Sequence, residues 1–253
     1  MANPVVWFEV TGKDGQALRK FYRELFGWKI GARDPASWFD YGLVEPGYGG
    51  LPGGIGSSAD GGSGHATFYV EVDDPTAFLT RAESLGATPV MPVTEIPSLN
   101  LRFATFADPD GNIVGLSNNA AVGGRGDAGT NPVLFFEVMG RDPAGLRRFY
   151  SELFGWRVTE AAASGYWTVE TGGEGVLGGI GPVEAAGQKS SPGFATFKVD
   201  VEDPQAVLER GELLGGKTVL PVTEIPGTTF KIAYFSDPDC HVIGLTEGMG
   251  FRP

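Results

Sequence analysis

The chain repeats itself once, and that repeat constrains its fold more than any other feature. The segment Asn3-Pro-Val-Val-Trp-Phe-Glu-Val10 returns as Asn131-Pro-Val-Leu-Phe-Phe-Glu-Val138. Phe21-Tyr22 and Leu25-Phe-Gly-Trp28 return as Phe149-Tyr150 and Leu153-Phe-Gly-Trp156. Gly53-Gly-Ile-Gly56 returns as Gly178-Gly-Ile-Gly181, Pro92-Val-Thr-Glu-Ile-Pro97 returns unchanged from Pro221, and Asp108-Pro-Asp110 returns as Asp237-Pro-Asp239. The separation is 128 residues from Asn3 to Asn131, 125 from Gly53 to Gly178 and 129 from Pro92 to Pro221. So small a drift confines insertions to loops, and both copies must share one topology. A period this long excludes a solenoid of short repeats. Small, polar and glycine-rich residues separate the copies and read as a flexible linker. The expected division is a first module at 1–118, a linker at 119–130 and a second module at 131–253.

Each copy divides again. Val5 to Val10 alternates in the manner of a strand. Leu18, Phe21, Tyr22, Leu25 and Phe26 then recur at helical spacing on one face, and Gly27 stands where a left-handed residue ends a helix. Strands are expected around Trp38-Phe-Asp-Tyr41 and at Gly53 to Ser57. A second cycle opens with the strand Ala66 to Val72. Asp74-Pro75 reads as an N-cap with proline in the first turn, and that helix runs through Phe78, Leu79 and Leu85 to Gly86. Three strands follow near 88–90, 101–106 and 112–117, the last two joined by the turn Asp108-Pro-Asp-Gly111. The order is β-α-β-β-β, four times in the chain, and the fold class is α+β.

The formal charge of −12 disfavours nucleic acid, which is bound by clustered Lys and Arg, and disfavours an anionic membrane surface. No apolar run has membrane-spanning length, and Met1-Ala2-Asn3-Pro4 does not read as a signal peptide, so a cytoplasmic location is expected. A single cysteine, Cys240, permits no internal disulfide.

Four β-α-β-β-β units paired within two modules resemble the vicinal-oxygen-chelate superfamily, which holds glyoxalase I, extradiol dioxygenases, fosfomycin-resistance enzymes and bleomycin-binding proteins. The residues that carry the resemblance are Phe21-Tyr22 with Leu25-Phe-Gly-Trp28, Gly64-His-Ala-Thr-Phe-Tyr-Val70 and Phe106-Ala-Asp-Pro-Asp-Gly-Asn-Ile-Val-Gly-Leu116, each with a counterpart in the second copy. The resemblance implies that each module pairs two βαβββ units into an open, cup-shaped sheet with a metal inside. It places the three metal-ligand positions at Trp7, His65 and Gly115 in the first copy, and at Phe135, Phe194 and Gly244 in the second. Exchange of halves between the copies would regroup them as Trp7, Phe194 and Gly244 and as Phe135, His65 and Gly115. Trp, Phe and Gly side chains do not coordinate such cations. No metal and no other cofactor is therefore expected, with a divalent metal held by non-standard ligands as the exception.

Strand alternation sends Trp7, Glu9 and Thr11 to one face, as it does Phe135, Glu137 and Met139. On the fifth strand His65, Thr67 and Tyr69 alternate likewise, matched by Phe194, Thr196 and Lys198. Trp38 and Trp167, on second strands, could line the cups or belong to the core; Trp28 and Trp156 read as core. The expected ligand-binding set is Trp7, Trp38, Thr67, Tyr69, Phe135, Trp167 and Phe194. Glu9 and His65 are the candidate catalytic pair, with Glu137 a weaker candidate. A carboxylate facing an apolar cup has its pKa raised by desolvation, which suits proton transfer. The plainer reading pairs each glutamate with a neighbouring group. His65 reads as a relic of the ligand position, a proton shuttle beside Glu9, or an ordinary strand residue. Cys240-His241 reads as a surface turn, with a reactive thiol beside its base as the alternative. Gly53-Gly-Ile-Gly56 lacks the lysine of a phosphate loop and reads as a place where the sheet curves or a ligand meets the backbone.

Two functions follow. One is binding of a small, partly aromatic or apolar molecule, of the sequestration or resistance kind. The other is metal-independent lyase, isomerase or hydrolase chemistry on Glu9 and His65. A metal-dependent glyoxalase or dioxygenase is the third reading, and a purely structural or interaction role the fourth. The expected partner is a small-molecule ligand, the chain acting as a monomer with its modules paired internally or as a homodimer.

Overall fold

The computed structural model describes residues 3–32, 40–45, 49–119, 131–161, 165–173, 175–188, 192–225 and 227–249. The first copy contributes β1 (Val5–Gly12), α1 (Gly15–Phe26), β2 (Ile30–Ala32), β3 (Tyr41–Val44), β4 (Gly53–Ser57), β5 (His65–Glu71), α2 (Pro75–Ser84), β6 (Thr88–Ile96), β7 (Leu101–Ala107) and β8 (Ile113–Ser117). The second contributes β9 (Val133–Gly140), α3 (Pro143–Phe154), β10 (Arg157–Glu160), β11 (Trp167–Glu170), β12 (Leu177–Pro182), β13 (Gly193–Asp200), α4 (Pro204–Leu213), β14 (Lys217–Glu224), β15 (Lys231–Ser236) and β16 (Val242–Glu247).

Local chemistry sets the helix ends. Asp14, Asp74, Asp142 and Asp203 each accept a backbone N–H of the first turn, from Ala17, Thr76, Gly145 and Ala206. Gly27 and Gly155 end α1 and α3 in the left-handed region, at φ 69° and 70°. Leu85 caps α2, so that helix stops at Ser84, just short of the expected end.

The strand orders are β2-β3-β4-β1-β5-β8-β7-β6 and β10-β11-β12-β9-β13-β16-β15-β14. Each eight-stranded sheet thus draws on one copy only, and among the described residues no strand is exchanged. The compact units divide the chain differently. One gathers the described residues of 8–66, 125–134 and 197–253; the other gathers those of 1–7, 67–124 and 135–196. Each unit therefore contains half of each copy. The expected linker, 119–130, lies outside the described residues apart from Asn119.

Within the unit containing residues 8–66 and 197–253, Phe8 packs on Phe197 at 4.6 Å between ring centres, and Trp28 stacks on Tyr22. Trp28 Nε1 donates to the Asn131 carbonyl at 2.9 Å, and Asn131 Nδ2 donates to the Phe26 carbonyl at 2.9 Å. The other unit repeats the pattern. Phe68 packs on Phe136 at 4.7 Å, Trp156 stacks on Tyr150, Trp156 donates to Asn3, and Asn3 donates to Phe154. Trp28 and Trp156 are core, as expected. The Asn-Pro that opens each copy grips the Leu-Phe-Gly-Trp of the other. Both halves of that exchange are visible in the sequence as repeats, but their partnership is a tertiary fact.

Among the described residues no helix is long and apolar enough to cross a membrane.

Candidate functional site

Along β1 the core residues Phe8 and Val10 alternate with the partly exposed Trp7, Glu9 and Thr11. In register, Glu9 lies opposite Gly54 and Thr11 opposite Gly56, while Tyr41 on β3 also lies opposite Gly56. Glu9, Thr11 and Tyr41 therefore share one sheet face. The Tyr41 ring lies over Gly54 and Gly56, where any Cβ would collide with it. Phe8 occupies the space beside Gly53 on the opposite face. The Gly-Gly-Ile-Gly motif thus makes room for the chain's own aromatic rings on both faces of the sheet.

The seated Tyr41 donates from its hydroxyl to Glu9 Oε1 at 2.8 Å. Its neighbour Asp40 anchors the start of the strand. The Asp40 carboxylate pairs with Arg19 of α1 and accepts from Ser57 Oγ at 3.0 Å. The slight burial of Asp40 acts to raise its pKa, but the hydrogen bonds from Arg19 and Ser57 and the Arg19 charge lower it on balance. The other Glu9 oxygen, Oε2, is 3.4 Å from His65 Nε2. That distance is within ion-pair reach, yet among the described residues the buried Nε2 atom makes no hydrogen bond. Both side chains keep access to solvent, 14% for Glu9 and 27% for His65. The His65 backbone N–H donates to Thr11 Oγ1 at 3.3 Å, which pins the start of β5 beside this face. The result is a carboxylate with one oxygen oriented by a phenol and the other facing an accessible imidazole.

The second copy builds the same acid–phenol pair and closes it. Glu137 is fully buried between Phe135 and Met139 on its strand face. Tyr166 lies over Gly179 and Gly181 and donates to Glu137 Oε1 at 2.5 Å. Burial, then the charge of Glu137 and its hydrogen bond, hold the Tyr166 phenol well above its ordinary pKa. Phe194 stands half-buried at the start of β13, where the first copy has His65.

At the third ligand position the two copies differ again. Tyr69 of β5 pairs with Gly115 of β8, and its ring fills the space over that glycine. In the second copy Lys198 pairs with Gly244 and covers it with its stem, while its ammonium lies 5.3 Å from the Tyr234 ring centre. The donor set at these positions does not fit a metal. Trp7 and Gly115 supply no ligand atom, and a carboxylate built at 115 would meet the Tyr69 ring. Among the described residues no group of three or more His, Cys, Asp or Glu side chains is placed to hold a metal ion.

The remaining expected site residues fall as follows. Thr67 is fully buried and donates to the Ile113 carbonyl at 2.5 Å. Trp167 pairs with Ile180, so it faces away from Glu137, because Ile180 alternates with Gly179 and Gly181. The tyrosine one residue earlier takes the inward position. Trp38 lies outside the described residues. His241 is not a surface residue: Cys240 is exposed, but His241 is buried and bonded on both ring nitrogens. Tyr41 and Tyr166 are not singled out by the sequence, because the tryptophans of those segments dominate the comparison. A signal is nonetheless present in the repeat: each tyrosine lies shortly before a Gly-Gly-Ile-Gly motif, whose glycines leave room for a ring.

This is a duplicated α+β protein whose carboxylate-bearing first strands face glycine-rich neighbours, and comparison with known proteins agrees with that class. Residues 5–116 match the model of the Glyoxalase/Bleomycin resistance protein/Dioxygenase superfamily, and residues 136–246 match the model of a Glyoxalase-like domain. The chain belongs to this superfamily, the vicinal-oxygen-chelate group, and carries two of its modules. Two mycobacterial proteins that bear the name putative glyoxylase CFP32, from Mycobacterium bovis and Mycobacterium tuberculosis, are 24% identical over 255 residues, covering 95% of this chain and 93% of theirs. Among solved structures, the Mn(II)-bound glyoxalase of Novosphingobium aromaticivorans is similar with a TM-score of 0.62 at 13% identity, over 98% of this chain and 82% of that one. The 2,2',3-trihydroxybiphenyl 1,2-dioxygenase of Sphingomonas wittichii follows at 0.59 and 12%, over 98% and 91%. At such identities these structures speak for the fold alone.

Proposed function

We propose that the first module binds a small, partly aromatic or apolar molecule without a metal, in the manner of a sequestration or resistance protein. One observation carries this reading: Glu9, oriented by Tyr41, keeps solvent access and faces His65, whereas its counterpart Glu137 is sealed. Glu9 offers an acceptor to a ligand hydroxyl or amine. The His65 imidazole offers a donor or an acceptor according to tautomer. The Tyr41 ring and the neighbouring β1 face offer apolar surface for the flat part of the ligand. The family's metal chemistry has no ligand set on these residues, so recognition rests on hydrogen bonds and stacking.

The 3.4 Å approach of His65 to Glu9 favours a second reading, proton transfer on a bound substrate by a metal-independent lyase, isomerase or hydrolase. Calorimetry with a panel of aromatic natural products and antibiotics tests the first reading, in native protein and in protein dialysed against a chelator. Saturable binding that survives dialysis and is lost in Glu9→Gln supports it. Failure of every compound to bind, or binding restored only by a divalent metal, overturns it. Turnover of a bound compound, abolished in Glu9→Gln, moves the assignment to the enzyme.

A further inference from the structure

His241 sits in what the sequence presents as a surface turn, yet it is buried and each ring nitrogen meets an oxygen. Nδ1 is 2.9 Å from Asp237 Oδ2, and Nε2 is 2.7 Å from the Ser63 carbonyl oxygen. A carbonyl oxygen only accepts, so Nε2 carries a proton. Asp237 is surrounded by donors: its Oδ1 accepts the backbone N–H groups of Asp239 and His241, and its Oδ2 accepts the Tyr22 hydroxyl at 2.9 Å. A neutral imidazole has one N–H and would turn a lone pair toward one of its two oxygens. With Asp237 in its carboxylate form, both contacts are satisfied only when both nitrogens are protonated.

The carbonyl that Nε2 grips belongs to Ser63, two residues before His65. Gly64 between them is in the left-handed region at φ 65°, with the Thr11 carbonyl against the place of a Cβ, so this short approach to β5 has little slack. Among the described residues the reciprocal turn lacks this grip. Asn112, at the place of His241, donates through Nδ2 to Asp108 Oδ2 at 2.8 Å, and its Oδ1 has no partner among them. Tyr150 donates to Asp108 as Tyr22 does to Asp237. The two networks are the same except for the imidazole and its second contact.

We propose that His241 is a positioning residue, a protonated clasp by which the Asp237–His241 turn holds the Ser63-Gly64 segment and thereby sets His65 beside Glu9. The proposal rests on the reading of His65 as part of the site. The charged and titratable groups around the clasp are Asp237 and Asp239 of its own turn and Tyr22 of α1; from the loop before β5 it meets the uncharged Ser63 carbonyl. Burial acts to lower the His241 pKa, but the Asp237 hydrogen bond and charge, the Ser63 contact and the charge of Asp239 raise it on balance. As the clasp loses its proton, one of its two contacts turns repulsive, and the segment before His65 is released.

The chain has two histidines, so ring nitrogen NMR of the full-length protein distinguishes both. At neutral pH one ring should show both nitrogens protonated, and that signal should vanish in His241→Asn, a change that gives this turn the residue its counterpart carries at Asn112. In that variant, hydrogen exchange at Ser63, Gly64 and His65 should rise about tenfold, the worth of one charge-assisted hydrogen bond, and the His65 ring signal should move. An unprotonated nitrogen on His241 at neutral pH, or unchanged exchange and an unmoved His65 signal, overturns the clasp. Should the variant fail to fold, the wild-type amides of Ser63 to His65 must titrate with the His241 ring; amides blind to that titration overturn it equally. None of these readouts uses a ligand. A failed ligand panel with the clasp intact therefore sinks the proposed function alone.

Discussion

Tyr41 donates to Glu9 across two glycines that hold its ring, and Tyr166 repeats the arrangement on Glu137. Both copies keep the pair, but not its exposure. Glu137 is completely buried, whereas Glu9 still faces solvent beside His65. One geometry thus serves as a candidate site in one module and as internal structure in the other.

Removing the Tyr41 hydroxyl should separate orientation from charge. Tyr41→Phe leaves the ring on Gly54 and Gly56 but removes the phenol's hydrogen bond to Glu9 Oε1. Stability should fall by about 0.5–1.5 kcal/mol, since the partly exposed carboxylate can be rehydrated. Ligand affinity should weaken roughly tenfold as Glu9 loses its fixed rotamer. Thermal denaturation and calorimetry check the two effects separately.

The buried pair should behave oppositely. Tyr166→Phe removes a hydrogen bond from a fully buried carboxylate and should cost about 1–3 kcal/mol in denaturant titration. Ligand affinity at the first module should stay unchanged. A larger effect on binding than on stability would place the working site in the second module.

Gly115→Glu restores a carboxylate at the third ligand position but meets the Tyr69 ring. The variant should lose stability by about 1–3 kcal/mol, the usual cost of overpacking, and should take up no stoichiometric metal by elemental analysis. Tyr69→Ala combined with Gly115→Glu should recover part of that loss. A single variant as stable as wild type would show that Tyr69 does not own the space.

The clasp gives stability a definite pH dependence. The folded-state pKa of His241 is raised above its ordinary 6.5. Its contribution is therefore complete below 6.5, and it is lost as pH rises through the higher folded value. Melting temperature should fall across that window in wild type. In His241→Asn the fall should be absent, with the alkaline side unchanged.

Much of the architecture is legible in the chain. The repeat predicts two copies of one topology. The i, i+3, i+4 spacing of Leu18, Phe21 and Tyr22 marks a helix face, and Asp74-Pro75 marks where the second helix begins. Alternation along β1 places Glu9 opposite the core face that holds Phe8 and Val10. These features are periodic or local, so a few neighbouring residues determine them.

Tertiary structure decided what periodicity cannot encode. The partners of Glu9 come from β3 and β5, at separations set by register rather than by sequence motifs. Trp167 and Tyr166 are adjacent, and only the pairing of Trp167 with Ile180 shows which of them faces Glu137. His241 lies 178 residues from the carbonyl it grips, so nothing local distinguishes it from a solvent-facing turn residue. The duplication itself changed meaning in the same way. The sequence by itself determined that there are two copies; only packing decided that each compact unit is made of half of each, because the apolar helix faces are covered by side chains from the other copy.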